Sequence, residues 1–557
     1  MIQDVLIVGA GFGGMYGVYK FRGMGLSVKA VEAGSDVGGT WYWNRYPGAR
    51  CDVPSLEYSF GFSEELEQAW EWPEVFSAQP DILDYANHVA ERFDLRQHIQ
   101  FNTRVTSITW RDGDQVWELG TDTGETLRGR FVVMATGCLS VPNKPNLPGA
   151  ARFKGQVLHT GLWPHEEVSL EGKRVGVIGT GSSGVQAIPE LAKQAGHLTV
   201  FQRTPVYTVP ANRKRMREAV QQEFKDNYRE IREMQWRNAG GVSGFRPLKS
   251  APSRANQPDV GPAASGVTGI PGGDSGGGLR IKAMTPEQRE QVVEAGGLGM
   301  ILAFRDIYSD IEANDIANEL FRSQIRKIVK NPEVSEKLLP KDYGIGCKRQ
   351  VLDRDYYDTF NRNNVSLVDL RETPLDTITE TGVQVGSDHH ELDVLIYATG
   401  FDAMTGALVR ANITGRDGVT LRDKWADGPV AFMGLQMRGF PNLFTVTGPG
   451  SPSVLCNMLV AIEQHVNWIA DCVAWMRENE KATIEPLEQS EIDWVAHVNE
   501  VAEGTMYTVP SCNSWYLGAN IEGKPRIFMP YVGGLPRYRE HTDGQAENNY
   551  PGFEVLG

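Results

Sequence analysis

The sequence predicts an α/β fold of two doubly wound, Rossmann-like parallel sheets, the second inserted in the first, with a helical insertion. Three observations lead there. A strand–glycine turn–helix–strand unit opens the chain. The same unit returns after about 170 residues. Two later strands end on the same Ala-Thr-Gly turn. The composition agrees: of 557 residues, 41% are hydrophobic and 22% charged, a globular mix and not a disordered one.

The first unit runs from Val5-Leu6-Ile7-Val8 through Gly9-Ala10-Gly11-Phe12-Gly13-Gly14 and a helix-compatible stretch to a strand at Leu26–Val31. In Gly9-x-Gly11-x-x-Gly14 the glycines allow a tight turn and let N–H groups at a helix start approach a pyrophosphate. Glu32, at the next strand end, suits both ribose hydroxyls and repels a 2′-phosphate. The ligand expected here is FAD or NAD, not NADP; a plain glycine-rich turn is the alternative. The strands Phe131–Met134 and Val394–Tyr397 lead into the two Ala-Thr-Gly turns, where small residues allow chains to cross closely. They imply that the first module is interrupted and resumes near residue 400.

The second unit holds Gly179-x-Gly181-x-x-Gly184, and Arg203-Thr204 stands where a carboxylate would select ribose. A guanidinium and a hydroxyl suit a 2′-phosphate, so NADPH is expected; a surface arginine beside an NADH site is the alternative. Residues 213–330 are rich in Glu, Lys, Arg, Gln and Met and read as helical. Within them, 240–278 is crowded with Gly, Pro, Ser and Ala and reads as a mobile loop or disordered insertion. Toward the C-terminus, Ser453–Arg477 and Gln489–Val501 read as helices. The expected division is 1–140 and 398–557 for the FAD-binding domain and 141–212 and 331–397 for the NADP-binding domain. Residues 213–330 form the insertion.

Other features exclude functions. A net charge of −15 argues against nucleic acid as a partner. No apolar run reaches the ~18 residues of a membrane span. Strand-like sequence by Val5 leaves no room for a signal peptide. Cys51, Cys138, Cys347, Cys456, Cys472 and Cys512 are far apart. They suggest a reduced, cytoplasmic chain with neither a disulfide framework nor a thiol-redox pair. The ten histidines show no metal-ligand spacing, so no metal site is expected. A flavin site and an NADPH site together imply hydride transfer from nicotinamide to flavin and electron transfer onward. With no cysteine pair as acceptor, O2 remains.

Phe153-x-Gly155-x-x-x-His159-x-x-x-Trp163-Pro164 resembles the fingerprint of type I Baeyer–Villiger monooxygenases. Gly39-Thr40-Trp41, Tyr46-Pro47-Gly48 and Asp52 match a second pattern of that family. The resemblance runs to about Tyr538 and is closest to the phenylacetone and steroid monooxygenase branch. It implies oxidation of a ketone by NADPH and O2 to an ester or lactone through a C4a-peroxyflavin. By resemblance, Arg349 in Gly346-Cys347-Lys348-Arg349-Gln350 is the active-site arginine, Asp52 orients it, and Lys348 contacts the 2′-phosphate. A permanently charged fork there suits a peroxide anion and a tetrahedral adduct. His159 is expected as a hinge between modules, with a satisfied linker histidine as the plain alternative; Trp163 is equally compatible with interdomain packing. Trp41 is assigned to the cofactor by the same resemblance, Trp515 to a mobile loop closing over nicotinamide, and Ser451, Pro452 and Ser453 to the substrate pocket. The 240–278 stretch is longer and richer in glycine than the family pattern. An N- or S-oxygenating flavin monooxygenase is the alternative, and a peroxide-producing NADPH oxidase a further one. A monomer or weak oligomer is expected.

Overall fold

The computed structural model describes residues 1–211, 215–244 and 279–557. Most of the stretch read as a mobile insertion, 245–278, lies outside the described residues.

The strand Ile2–Val8 lies inside the first sheet, parallel to Val28–Val31 on one side and Thr126–Met134 on the other. Val5 and Ile7 point into one apolar cluster, Leu6 and Val8 into another. Both faces are therefore buried, which is why this strand reads as a continuous apolar run. The sheet runs in the order Ile413–Thr414, Val105–Arg111, Val116–Thr121, Thr126–Met134, Ile2–Val8, Val28–Val31, Ile99–Gln100. Leu443–Thr445 also pairs with Thr126–Met134. The second sheet is all parallel, in the order Val365–Asp369, His197–Gln202, Arg174–Ile178, Val394–Tyr397, Gln156–His159. After Val394–Tyr397 has joined the second sheet, Ile413–Thr414 and Leu443–Thr445 rejoin the first. The second sheet is thus inserted in the first.

The helix Phe12–Gly23 buries residues around most of its circumference, because it lies between the first sheet and the helix Met458–Glu478. Among the described residues between the two parts of the second sheet, Glu218–Asp226, Tyr228–Arg237, Pro286–Gly296 and Ile311–Ile328 are helical. The last is closed at its start by Asp310, whose carboxylate accepts from the Ala313 amide. A three-stranded antiparallel sheet, Leu375–Ile378, Gly382–Val385 and Asp388–Glu391, is a further element that the sequence patterning left unread.

Two expectations are corrected. The helix expected from Ser453 begins at Met458, with one 3-10 turn at Ser453–Leu455 before it. Ser453 has a φ of 42°, which an α-helix cannot continue, and Asn457 supplies the real cap by accepting from the Leu459 amide. The cysteines also depart from expectation. Cys347 and Cys512, 165 residues apart, form a disulfide with their Cα atoms 5.5 Å apart. Spacing along the chain concealed the pair because folding alone brings the two loops together. The cysteine argument for a reducing compartment does not hold for this pair.

Candidate active site

Each glycine turn is built by contact with an Ala-Thr-Gly turn. Gly9 has a φ of 103°, and a Cβ there would lie 2.6 Å from the Ala135 carbonyl oxygen. A Cβ on Gly14 would lie 1.9 Å from the Gly9 oxygen, and one on Gly39 2.7 Å from the Cα of Gly11. No side chain fits at these points, so bare backbone faces the helix start. The helix Phe12–Gly23 has Gly11 as its N-cap with no side-chain cap, and Ser182–Gln194 has Gly181 in the same state. Uncapped N–H groups beside a bare backbone fit the pyrophosphate of a dinucleotide. Glu32 is buried, with Oε2 accepting from the Ala10 amide at 2.8 Å and Oε1 from the Gly34 amide at 2.7 Å. Each oxygen keeps a lone pair for a ribose hydroxyl, so these residues fit FAD.

At the second turn Arg203 is exposed, and the Thr204 carbonyl accepts from the Thr180 hydroxyl at 2.9 Å. Lys348 comes from a different segment. Its ammonium lies 4.3 Å from the centroid of the Tyr343 ring. Burial and the neighbouring Arg203 charge push its pKa down to about 8, with Asp342 opposing. Two cations held near each other, with only Asp342 opposing, fit a phosphate dianion.

Arg349 is where the two halves of the first sheet's module and the second module meet. Its Nε donates to Asp52 Oδ2 at 2.7 Å and its Nη2 to Asp52 Oδ1 at 2.8 Å. Its Nη1 donates to the Val454 carbonyl at 2.6 Å. The Tyr516 hydroxyl meets the same guanidinium. Burial works against the arginine's charge, but Asp52 and Tyr516 outweigh it and its pKa is raised. The charge is therefore fixed in place and in direction. Asp52 thus lies beside Arg349, as expected; Tyr516 and the Val454 carbonyl were not foreseen.

The backbone just before Val454, whose carbonyl Arg349 binds, is strained. Ser453 and Met404, at φ of 42° and 65°, are non-glycine residues in the left-handed region. The Ser453 hydroxyl lies 3.8 Å from the Met404 sulfur and also meets the Cys138 thiol. Burial pushes the Cys138 pKa up to about 11, so it presents a neutral thiol. Ser451 donates to the Gly448 carbonyl at 2.7 Å, and Ser451, Pro452 and Ser453 are buried together. Cys138 directly follows the first Ala-Thr-Gly turn, a position that could have drawn attention to it.

His159 sits where two crossings pass. Its Nδ1 accepts from the Gly161 amide at 3.0 Å, and its Nε2 lies 3.2 Å from the Asn143 carbonyl and 3.4 Å from the Thr399 hydroxyl. Burial lowers its pKa, which favours the neutral ring that this pattern requires. A Cβ on Gly155 would lie 2.5 Å from the Asp393 oxygen and 2.6 Å from the Phe153 ring. Trp163 is buried in the core of the second module. Trp41 is buried, with its Nε1 donating to the Tyr58 hydroxyl at 3.2 Å. Trp515 is half-buried against Tyr516, their rings 4.3 Å apart. The Tyr46-Pro47-Gly48 segment docks on the helix Ser182–Gln194. Tyr46 donates to Gln186 Oε1 at 2.8 Å, and Gln186 Nε2 donates to the Arg50 carbonyl at 3.1 Å.

The fold and these sites define an oxidoreductase with one flavin and one nicotinamide module. Residues 6–241 match the pyridine nucleotide-disulphide oxidoreductase family. A Baeyer-Villiger monooxygenase of Pseudooceanicola batsensis is 39% identical over 98% of this chain and 95% of its own. A steroid monooxygenase bound to NADP superposes with a TM-score of 0.88 at 45% identity over 100% of both chains. OTEMO in complex with FAD and NADP superposes at 0.89 with 36% identity, over 100% of this chain and 99% of that one. The chain belongs to the Baeyer–Villiger monooxygenases, flavoenzymes that use NADPH and O2 to convert ketones to esters or lactones. No helix among the described residues is long and apolar enough to cross a membrane.

Proposed function

We propose that Arg349, aimed by Asp52, is the charge that stabilises the oxygen anions of this Baeyer–Villiger reaction. The observation that carries the reading is the two-pronged Arg349–Asp52 pair, with the third nitrogen tied to the Val454 carbonyl. Bound FAD supplies hydride acceptance from NADPH and activation of O2. The protein residues do the rest. The glycine turns at Gly9, Gly11 and Gly14 and at Gly179, Gly181 and Gly184 present N–H groups to two pyrophosphates. Glu32 accepts from the flavin ribose. Arg203, Thr204 and Lys348 receive the 2′-phosphate, supported by the crowding of the two cations. A guanidinium already neutralised in direction by Asp52 needs no reorganisation when negative charge develops on oxygen beside it. The neutral thiol of Cys138 and the residues Ser451, Pro452 and Ser453 line the ketone side, and Trp41 and Trp515 cover the cofactors.

His159 acts as the pivot between modules, supported by its bonds to two separate crossings, with Phe153, Gly155 and Trp163 packing the strand that carries it. A division into a FAD-binding domain (1–140, 398–557), a NADP-binding domain (141–212, 331–397) and an insertion (213–330) is supported by the strand membership of the two sheets. A supply of NADPH supports a cytoplasmic enzyme.

Arg349→Ala is expected to leave reduction of the bound flavin by NADPH within severalfold of normal. Ester formation should fall by about a hundred- to a thousandfold. Stopped-flow absorbance reads the first and gas chromatography the second. Normal ester formation in the variant removes the assigned role.

A further inference from the structure

Of the groups that hold Arg349, Asp52 and the Val454 carbonyl only accept, whereas the Tyr516 hydroxyl also has a proton to give. A guanidinium only donates, so the Tyr516 oxygen accepts from Arg349 and cannot return its own proton there. Among the described residues no protein acceptor takes that proton; Ser514 Oγ accepts from the Tyr516 backbone amide instead, at 3.2 Å. The described hydroxyls that are sealed in protein without a partner are those of Thr160, Ser335 and Tyr356, and that of Tyr516 is not one of them. The Tyr516 ring is 1% exposed and stands edge-on to Tyr507, with centroids 5.5 Å apart, so its hydroxyl is held in place. The Cys138 thiol, which meets Ser453, is a further neighbour of that hydroxyl. The side chains of Arg349 and Asp52 are each 20% exposed, so this corner is open to a ligand. A hydrogen-bond donor left without a partner in such a corner points to a ligand that accepts from it.

We propose that Tyr516 is a further catalytic residue of the ketone step, its O–H donating to the ketone carbonyl oxygen while its own oxygen accepts from Arg349. The proposal rests on the reading of Arg349 as the charge that stabilises oxygen anions. When the carbonyl carbon takes up the added oxygen, the π electron pair of the C=O bond moves onto the carbonyl oxygen. A fixed donor aimed at that oxygen holds it more strongly in the transition state than in the ketone. Accepting from a cation makes the phenol a stronger donor, so the guanidinium acts on the carbonyl oxygen through it. No proton changes owner. Burial holds the pKa of Tyr516 up, with Arg349 opposing, and the phenol stays neutral. As the migrating carbon shifts to oxygen, the pair returns and the C=O bond of the ester forms. A thioether takes its oxygen on a sulfur lone pair and has no carbonyl, so it makes no use of this donor.

The test compares the wild-type enzyme with Tyr516→Phe, both full-length and FAD-loaded. The phenyl ring keeps the contact with Tyr507 and loses only the hydroxyl. With NADPH and O2, gas chromatography scores phenylacetone going to benzyl acetate beside benzyl methyl sulfide, of nearly the same shape, going to its sulfoxide. The ratio of ester to sulfoxide should fall about ten- to a hundredfold in the variant. An unchanged ratio overturns the proposal, because equal losses place the hydroxyl in the fold or in oxygen activation. A second readout needs no turnover. Phenylacetone isotope-labelled at the carbonyl carbon is bound to the oxidised enzyme without NADPH, and its C=O stretch is read by infrared difference spectroscopy. A hydrogen bond weakens the double bond, so the band should shift to higher frequency in Tyr516→Phe. The same frequency in both enzymes overturns the contact. Arg349→Ala separates the two readings. Normal ester formation there removes the arginine's role; loss there, with an unchanged ratio in Tyr516→Phe, overturns the tyrosine alone.

Discussion

The two dinucleotide turns are nearly identical in backbone and opposite in what surrounds them. Gly9 and Gly179 have φ of 103° and 111°, and a Cβ at either would strike a carbonyl of an Ala-Thr-Gly turn, 2.6 Å from Ala135 and 2.5 Å from Ala398. The turn is therefore shaped to fit what all dinucleotides share. Beyond it the modules diverge. Glu32 is buried and tied to two amides, a site built before its ligand arrives. Arg203 is exposed and its companion Lys348 comes from 145 positions away, a site assembled from two segments. A prepared, buried pocket suits a cofactor that stays; an open one completed across segments suits a cofactor that comes and goes.

The comparison breaks most sharply at the glycines. Gly9→Ala forces a methyl group against the Ala135 carbonyl at a φ that L residues rarely adopt. The variant is expected to lose FAD and to purify without visible absorbance near 450 nm, a wavelength typical of oxidised flavins. Gly179→Ala meets the same overlap in the other module. It should keep its FAD, while the NADPH KM rises by about tenfold or more. If both variants lose flavin, the division of labour between the turns is wrong.

A smaller effect separates the strand ends. Arg203→Ala should raise the NADPH KM about tenfold and leave NADH almost unchanged, since a charge-assisted bond to the 2′-phosphate is worth ~1.5–3 kcal/mol. Equal changes for both cofactors would deny the arginine its phosphate. The smallest effect is in pH. Lys348 has its pKa pushed down to about 8 in the free enzyme, and a bound dianion favours its charged form. Binding above that pH must take up a proton, so the NADPH KM should climb as pH rises through about 8. With Lys348→Met, the KM should be higher at pH 7 and the climb should flatten.

What could be read along the chain was local. The strand–turn–helix units and the alternation of apolar runs predicted two doubly wound sheets, because the apolar period and the glycine spacing belong to neighbouring residues. The antiparallel strands between Leu375 and Glu391 escaped notice, being short and largely polar, as Asp388-His389-His390-Glu391 is. Arg349 and Asp52 were legible only through the family pattern, since 297 residues separate two groups that share two hydrogen bonds. Tyr516 carried no signal apart from its neighbour Trp515, and Cys347 and Cys512 argued the wrong way because no short spacing joined them.

By itself, then, the order of residues determined the class of fold, two glycine turns of matching backbone, and the opposite charges of Glu32 and Arg203 at their strand ends. Each follows from backbone rules that act within about thirty residues, the length of one βαβ unit. Tertiary structure alone decided which side chains face the guanidinium, where the helix after Ser453 starts, and that two distant sulfurs bond. Those outcomes depend on how two sheets and their connections pack, and packing joins residues that sequence distance keeps apart.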